Sequence, residues 1–236
     1  MTDHLSLLAY GRPLTRRRLI KLSAGLAALF AAGQWGLSVP ALAQRKKGAA
    51  AAEVPLEELM KPGPLPDLVL GSADAPITVV EYASMTCGHC ATFHNNVWPK
   101  LKEKYVDSGK VRFIMREFPL DNLAAAASML ARCAGEGKTY PMITVLFAKQ
   151  DDWAFVRTNP VPELFKFAKQ AGFTQESFDK CLTDQKLLDD ITAIRSRAAE
   201  TFGVSATPTF FINGKKMTAA PTLDEFDKAF ASAVKS

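Results

Sequence analysis

The sequence is poor in side chains that ligate metals, with four cysteines and three histidines among 236 residues. Only Cys87 and Cys90 are close enough in sequence to form one half of a structural zinc site. The other half is missing, because Cys133 and Cys181 stand alone and far apart, whereas structural zinc sites combine two ligand pairs at short spacing. We therefore expect no structural zinc site.

The sequence also lacks a block of Lys and Arg long enough to neutralise a run of phosphates. The formal net charge is +5, yet the first 43 residues hold five Lys or Arg and one Asp, which is +4 of it. From residue 44 onwards, 24 basic side chains stand against 23 acidic ones, so nucleic acid is not an expected partner. The composition, 48% hydrophobic and 22% charged, is that of a globular protein and excludes a disordered or collagen-like chain.

The N-terminal residues carry the surplus charge in a pattern typical of export signals. Arg16-Arg17-Arg18 precede an apolar stretch, residues 22–39, which is followed by Pro40-Ala41-Leu42-Ala43. We expect residues 1–43 to be a signal peptide that is cleaved after Ala43. The stretch is rich in Ala and Gly and contains Gln34, so it is a poor permanent membrane span. An uncleaved signal anchor is the alternative.

The sequence does not decide between two export routes, but the predicted compartment is the same for both. Residues 15–21 resemble the twin-arginine motif, and an ordinary Sec signal with three arginines explains them equally well. Either route delivers the mature chain outside the cytoplasm, where disulfides form and persist. We therefore expect the mature protein in the periplasm.

Residues 44–66 separate the expected signal from the expected globular part. Residues 44–52 contain an Arg-Lys-Lys cluster and an Ala run without apolar periodicity, so we expect a tether there. Residues 53–66 contain four prolines, too many for a helix or a central strand, and an extended arm is expected.

A strand, a helix and a second strand follow the arm. Residues 77–82 are rich in β-branched and aromatic side chains, as a buried strand should be. A helix is predicted to begin at the cysteine pair, with Thr86 as its cap, to bend near Pro99 and to end at Gly109. A second strand at 111–118 then predicts parallel pairing through a crossover helix.

A block of helices, a hairpin and a last helix complete the pattern. Between residues 121 and 202 no strand interrupts the helical pattern, which recurs at 123–134, 141–149, 162–170, 175–182 and 186–201. A strand at 209–212 leads through Asn213-Gly214, a strong hairpin signal, to residues 215–218, and 224–234 form the last helix. The predicted fold class is α/β, with residues 67–120 and 203–236 forming one sheet unit around an all-helical insertion at 121–202.

The position of Cys87-Gly88-His89-Cys90 at a strand-to-helix junction predicts redox chemistry. The free N–H groups and the positive end of the helix dipole favour a thiolate at Cys87, which is the expected nucleophile with a lowered pKa. Cys90, one turn further along, suits the resolving role, in which it attacks a mixed disulfide. His89 adds a donor and partial positive charge beside Cys87, so it is expected to stabilise the reduced form.

Two other roles for these cysteines are open at this point. Cys87, Cys90 and His94 lie on one helix face and form a soft-ligand set suited to copper(I), so an exported copper chaperone is the alternative from another class. A half-buried histidine that packs beside the active-site turn is a simpler explanation of His94. A purely structural disulfide is also open, although so short a loop constrains the unfolded chain little.

A second motif, Ser205-Ala206-Thr207-Pro208-Thr209, follows the helical block. Together with Cys-x-x-Cys at a helix start, the long helical insertion and Gly-Val-x-x-Thr-Pro-Thr-Phe-Phe-Ile-Asn-Gly, it resembles the DsbA family of thioredoxin-like oxidoreductases, from about residue 65 to the C-terminus. The resemblance implies that Pro208 is cis and faces the cysteines, and that Thr207 contacts bound substrate. It also implies that Glu81 is a buried acid beneath the cysteines, which accepts or relays the Cys90 proton. A trans proline in an ordinary turn and a solvated Glu81 are the alternatives.

One feature departs from the family pattern. The pair between the cysteines is Gly-His, as in eukaryotic protein disulfide isomerase, whereas the best-known DsbA has Pro-His. Potentials of relatives lie at about −180 mV for the isomerase and about −120 mV for DsbA. We therefore expect an oxidising protein without assigning it a potential.

Cys133 and Cys181 both fall in the helical block. Because two free thiols are hazardous in an oxidising compartment, we predict that they bridge each other. A second cysteine pair of this kind is similar to that of some alphaproteobacterial members of the family. Closing a loop of that length stabilises a fold by roughly 4 kcal/mol in the chain-entropy model, before strain is subtracted.

The expected function is that of an enzyme, a protein thiol-disulfide oxidoreductase that donates disulfides to reduced, exported proteins. The resemblance implies re-oxidation by a quinone-linked membrane protein of the DsbB type, with no metal or organic cofactor. A disulfide isomerase or reductase is the nearest alternative. Against it, residues 44–66 are too short for a dimerisation domain, although long enough for an oligomerising arm. Four aromatic residues fit a core as well as a peptide groove: Phe93, Trp98, Trp153 and Phe155.

Overall fold

The structure is a computed structural model that describes residues 53–234. The expected signal peptide at residues 1–43 and the tether at residues 44–52 lie outside the described residues, so both remain predictions. Among residues 53–234, no helix combines the length and the apolar character needed to cross a membrane.

A mixed β-sheet lies at the centre of the described part, with its strands in the order β1-β3-β2-β4-β5. The strands are β1 (Leu68–Leu70), β2 (Ile77–Ala83), β3 (Val111–Glu117), β4 (Thr209–Ile212) and β5 (Lys215–Lys216). Strands β2 and β3 are parallel, as predicted, and the other neighbours are antiparallel. Because β4 is antiparallel to β2, the beginning of β4 lies beside the end of β2, where Thr209 pairs with Tyr82.

Along the described chain, one helix precedes β1, two lie between β2 and β3, five lie between β3 and β4, and one follows β5. They are α1 (Leu56–Leu59), α2 (Gly88–Asn96), α3 (Trp98–Leu101), α4 (Asn122–Cys133), α5 (Thr139–Ala148), α6 (Val161–Gln170), α7 (Gln175–Leu182), α8 (Gln185–Thr201) and α9 (Leu223–Ala233). A π-helical turn at Lys102–Val106 extends α3, and a 3₁₀ turn at Gln150–Asp152 follows α5. The predicted α/β fold with a helical insertion is confirmed, since α4 to α8 succeed one another without an intervening strand.

Alternate residues of β2 point to opposite faces of the sheet, as in any strand. Val80 and Tyr82 pack into one apolar cluster, whereas Val79 packs into another that also contains Cys90 of α2. Glu81 shares the face of Val79. The period of the strand therefore directs this carboxylate into the core beneath α2.

The helix that begins at the cysteines breaks near Pro99, as predicted. Helix α2 ends at Asn96 and α3 begins at Trp98, with the proline in the first turn of α3. Proline suits that position because it has no N–H to donate and its φ is already helical. The chain leaves the following π-helical turn through Gly109, whose φ of 74° favours glycine.

The hairpin signal is also confirmed. Asn213 and Gly214 connect β4 to β5 with φ values of 47° and 87°, which Asn and Gly adopt more readily than other residues. Strand β5 is shorter than predicted, with Lys215–Lys216 alone in the strand conformation.

Three local features differ from the predictions. Thr86 does not cap α2, because Cys87 occupies the N-cap position and the Thr86 hydroxyl donates instead to Asp121 Oδ2 at 2.7 Å. The proline-rich arm is not wholly extended, since the four residues of α1 form one helical turn in which no proline interrupts the hydrogen bonds. Strand β1 was not predicted, because three residues show too little periodicity to indicate a strand.

Cys133 and Cys181 are joined in a disulfide, with their Cα atoms 6.1 Å apart, so the predicted pairing is confirmed. The bridge connects the end of α4 to α7 and packs on Met129 and Ile191 in a small apolar cluster. It therefore ties two helices of the insertion to each other.

Candidate active site

The Cys-x-x-Cys motif lies where β2 passes into α2. The backbone N–H of Cys87 donates to the carbonyl of Ser84 at 3.1 Å, which closes a tight turn between the strand and the helix. Cys87 is therefore the N-cap of α2 and is 8% exposed, whereas Cys90 is fully buried. Gly88 and His89, between them, face solvent. Of the two cysteines, Cys87 is therefore the one with part of its surface open to solvent.

The sheet brings a second loop to the same place. Because the beginning of β4 lies beside the end of β2, the loop before β4 meets the turn before α2. The Cys87 sulfur lies 3.2 Å from the carbonyl oxygen of Thr207, across 120 residues of sequence. The peptide bond between Thr207 and Pro208 is cis. The structure therefore unites the two sequence motifs in one site.

The pKa of Cys87 is lowered from 9.0 to about 5. The largest cause is the hydrogen bond with the Cys90 thiol, followed by burial, which opposes the shift, and by the Thr207 side chain. Backbone N–H groups of His89 and Cys90 also lower it. The Thr207 hydroxyl is buried without a hydrogen-bond partner among the described residues, which leaves it free to donate to a thiolate. Cys87 is accordingly ionised at neutral pH.

Cys90 has the opposite character. Burial is the largest cause that raises its pKa, and the hydrogen bond to Cys87 and the charge of Glu81 raise it further. Cys90 therefore stays a protonated thiol while Cys87 is a thiolate. The N-terminus of α2 thus carries one nucleophile with a small part of its surface open to solvent and one fully buried proton donor.

His89 acts on this pair through its backbone. Its N–H helps to lower the pKa of Cys87, while the imidazole is exposed and makes no hydrogen bond to residues 53–234. The predicted effect of the His89 ring on the reduced form stays a prediction.

Glu81 is fully buried, so the alternative of a solvated carboxylate at the sheet edge is wrong. Its two oxygens lie 2.9 Å and 3.2 Å from Nε2 of His94, which is buried on α2. The imidazole of His94 also stacks on Phe147 of α5, with ring centroids 4.5 Å apart. The sequence does not predict this pairing, because the spacing between a strand residue and a helix residue does not indicate contact.

The copper(I) site considered from the sequence does not form. Nε2 of His94 is taken up by Glu81 instead of turning toward Cys87 and Cys90. Across residues 53–234 there is no group of three or more His, Cys, Asp or Glu side chains that is arranged to hold a metal ion.

Comparisons with known proteins agree with this geometry. A sequence model described as thioredoxin matches residues 65–231. The chain belongs to the thioredoxin family. Within that family it is DsbA-like: it is 35% identical to alpha-DsbA1 of Wolbachia pipientis, with a TM-score of 0.68 over 77% of this chain and 98% of that one.

The names of other relatives are consistent with a DsbA-like protein. A putative protein-disulfide oxidoreductase of Rickettsia bellii is 37% identical over 150 residues, which are 63% of this chain. The match spans 57% of the length of that relative. BdbD of Bacillus subtilis is 23% identical with a TM-score of 0.62, which shows the fold alone.

The DsbA-like site contains one residue that sequence analysis missed. Gln150, in the turn after α5, is buried, and its side-chain amide donates to the carbonyls of Met85 at 2.8 Å and Cys87 at 3.1 Å. These hydrogen bonds stabilise the turn that contains Cys87. A glutamine in a polar turn carries no sequence signal for this role.

Three of the four aromatic residues considered for a peptide groove belong instead to the core of the DsbA-like fold. Phe93, Trp98 and Trp153 are buried, whereas Phe155 is 57% exposed. The indole N–H of Trp153 donates to the carbonyl of Leu146 at 2.8 Å, which fixes it inside the helical insertion.

Proposed function

We propose that this DsbA-like protein is a thiol-disulfide oxidoreductase that donates its Cys87–Cys90 disulfide to reduced, exported proteins. The observation that carries the proposal is the split between the two cysteines, an accessible thiolate at Cys87 and a buried thiol at Cys90. This split favours the reduced enzyme, and a protein whose reduced form is stabilised is an oxidant.

The donation proceeds in two exchanges. A substrate thiolate attacks the Cys87 sulfur of the oxidised enzyme, so that a substrate–Cys87 disulfide forms, the Cys87–Cys90 bond breaks and the Cys90 sulfur takes up a proton. A second substrate thiolate then attacks the substrate sulfur of that disulfide and displaces Cys87 as a thiolate. The substrate loses two electrons and forms a disulfide, while the enzyme gains two electrons and becomes the thiolate–thiol pair.

The lowered pKa of Cys87 indicates the size of the oxidising effect. At pH 7 a pKa of about 5 corresponds to at most ~2.7 kcal/mol of stabilisation of the thiolate, because solvent screens part of the interaction. For a two-electron couple this corresponds to about 60 mV toward a more oxidising potential.

The loop before β4 is the proposed docking site for the substrate chain. Its Thr207 carbonyl lies 3.2 Å from the Cys87 sulfur, so a peptide that bonds to Cys87 must pass beside it. Leu120 lies next to the turn that precedes α2, where its N–H donates to Ser84 Oγ at 3.3 Å, and it is 50% exposed. An apolar side chain here suits unfolded clients, which expose apolar residues.

The setting of the reaction is also part of the proposal. The sequence pattern of residues 1–43 supports export to the periplasm by the Sec or twin-arginine route. An oxidase there needs to be re-oxidised after each turnover, and a quinone-linked membrane protein of the DsbB type is the proposed oxidant. Reduced exported proteins and this oxidant are the two partners.

Equilibration of the protein with defined ratios of reduced and oxidised glutathione tests the proposed direction. We expect a potential well above the value of about −270 mV that is typical of thioredoxin. A potential as low as that of thioredoxin would contradict the oxidase function and favour a reductase. An intermediate potential combined with efficient repair of a mispaired substrate would favour the isomerase.

A further inference from the structure

The buried pair of Glu81 and His94 lies beneath the helix that carries the redox cysteines. His94 is on α2, one turn after Cys90, and Glu81 is on β2 beneath that helix. Both carboxylate oxygens lie within 3.2 Å of one ring nitrogen, Nε2. The side chains are 0% exposed for Glu81 and 4% exposed for His94. The pair is therefore a buried hydrogen-bonded unit.

The surroundings of this unit are apolar. Phe93 meets the His94 ring edge-on at a centroid distance of 5.2 Å, and Phe147 stacks on it. The cross-strand neighbours of Glu81 are Met115 of β3 and Phe210 of β4. A carboxylate in such a place is charged only if a partner compensates for the loss of hydration. Among the described residues, His94 is the side chain that hydrogen-bonds to Glu81.

Few titratable groups face the pair from the neighbouring elements. Cys90 lies on the same helix, and the charge of Glu81 acts on it. Tyr140 faces Glu81 from α5, and its pKa is raised by burial and then by the Glu81 charge. The ion pair of Glu117 and Arg132, at the ends of β3 and α4, acts on Tyr140 from further away.

We propose that His94 is a positioning residue, which holds Glu81 ionised and oriented as the base for the Cys90 thiol. The inference rests on the proposed function, because it concerns the step in which Cys90 closes the active-site disulfide. Cys90 is a buried thiol, and a thiol attacks a disulfide only after it has lost its proton. Glu81 is the carboxylate whose charge reaches it.

Oxidised glutathione provides a defined form of this step. The Cys87 thiolate attacks glutathione disulfide, so a Cys87–glutathione disulfide forms and one glutathione thiolate leaves. The Cys90 thiol then gives its proton to Glu81, and its sulfur attacks Cys87, forming the Cys87–Cys90 bond as the second glutathione thiolate leaves. The enzyme loses two electrons, one glutathione disulfide gains them, and the proton passes from Glu81 to solvent.

Without His94, Glu81 would be a buried carboxylate with no compensating donor. Burial without a donor disfavours the charged form of this carboxylate, which would then be a poorer acceptor for the proton of Cys90. Closure would slow, and its rate would recover only at higher pH. Attack by Cys87, which lies outside the pair, would keep its rate.

The test follows the two steps separately in the full chain. Reduced protein is mixed with oxidised glutathione, quenched with acid at set times and analysed by mass spectrometry for the Cys87–glutathione disulfide, between about pH 5 and 9. The variants are His94→Leu, which removes the donor, and His94→Gln, which keeps an N–H for Glu81. Asn95→Ala is the matched control, because Asn95 also ties α2 to α5, through the carbonyl of Phe147 at 3.2 Å, without contact to Glu81.

We expect closure in His94→Leu to be at least about tenfold slower at neutral pH, with the acidic limb of its pH profile moved to higher pH. His94→Gln should restore most of the rate, and Asn95→Ala should keep the wild-type profile. A wild-type profile in both His94 variants would overturn the inference and leave the proposed function intact. The same is true if His94→Leu slows closure equally in a Glu81→Gln background, since His94 would then not act through Glu81. Failure of the wild-type protein to form the mixed disulfide would instead contradict the proposed function.

Discussion

The two cysteine pairs of this protein differ in their chemical state, although both consist of the same kind of side chain. Cys87 and Cys90 lie at the beginning of a helix and are two free thiols, one of them ionised, whereas Cys133 and Cys181 are bonded to each other. The first pair is three residues apart and meets a loop from a distant part of the chain. The second pair is 48 residues apart and joins two helices of the insertion. The chemistry of each pair is thus decided by what surrounds the sulfurs and by the loop that they close.

The strongest test of this contrast replaces one cysteine of each pair. Cys87→Ser should lower thiol-disulfide exchange with a dithiol peptide by more than about a thousandfold, because no other described residue supplies an accessible thiolate. Cys133→Ser should leave exchange at Cys87 close to the wild-type rate. Comparable losses of exchange in the two variants would break the distinction between a reactive pair and a structural pair.

For the free energy of unfolding, we expect the structural pair to matter and the active site to be unaffected by its loss. Replacing Cys133 and Cys181 together by alanine should lower the free energy of unfolding by roughly 2–4 kcal/mol, because the unfolded chain gains the entropy of an open loop. Denaturant unfolding of the oxidised proteins measures this difference. The ultraviolet absorbance of the Cys87 thiolate should titrate as in the wild type, and a changed titration would show that the bridge acts on the active site.

The reactive pair should also make stability depend on pH. The pKa of Cys87 is lower in the folded, reduced protein than in the unfolded chain, so its contribution grows as the pH rises above about 5 and is complete only above the unfolded value near 9.0. At pH 7 the contribution is at most ~2.7 kcal/mol, since solvent screens part of it, and it is lost as the pH falls through about 5. Unfolding of the reduced protein at several pH values should show this loss. The oxidised protein, in which Cys87 does not titrate, is the control.

The smallest expected effect concerns Gly88, the first of the two residues between the reactive cysteines. A Cβ added at Gly88 would meet Gln150 Oε1 at 4.0 Å, an ordinary contact, and proline suits the first position of a helix. Gly88→Pro should therefore fold and should move the potential toward the oxidising side by up to about 60 mV, the difference between relatives with Gly-His and Pro-His. Gly88→Ala, which keeps the N–H, should change the potential much less. Equal shifts in both variants would attribute the effect to bulk at this position.

Regular elements of the fold were predictable because each has a periodic pattern within itself. The strand at β2, the five helices of the insertion and the Asn213-Gly214 turn follow from side-chain spacing and local conformational preference. Strand β1 and helix α1 were not predicted. They are too short for a period to show, and they form only because the rest of the fold offers them a surface and hydrogen-bond partners.

The residues of the candidate site also divide into those that the sequence predicts and those that it does not. Cys87, Cys90, Thr207 and Pro208 stand out in the sequence because their motifs are local. Gln150 and the pairing of Glu81 with His94 do not, because each depends on a contact between elements that are far apart in the chain.

The sequence by itself determined which sulfurs are three residues apart, that a helix follows them, and which strands can form the sheet. The tertiary structure alone decided that β4 runs beside β2, which brings Thr207 to the Cys87 sulfur and leaves Glu81 buried against His94. The physical reason is that ionisation depends on the solvation and hydrogen bonds at one point in space. Those are set by how the elements pack, and a pattern along the chain does not contain them.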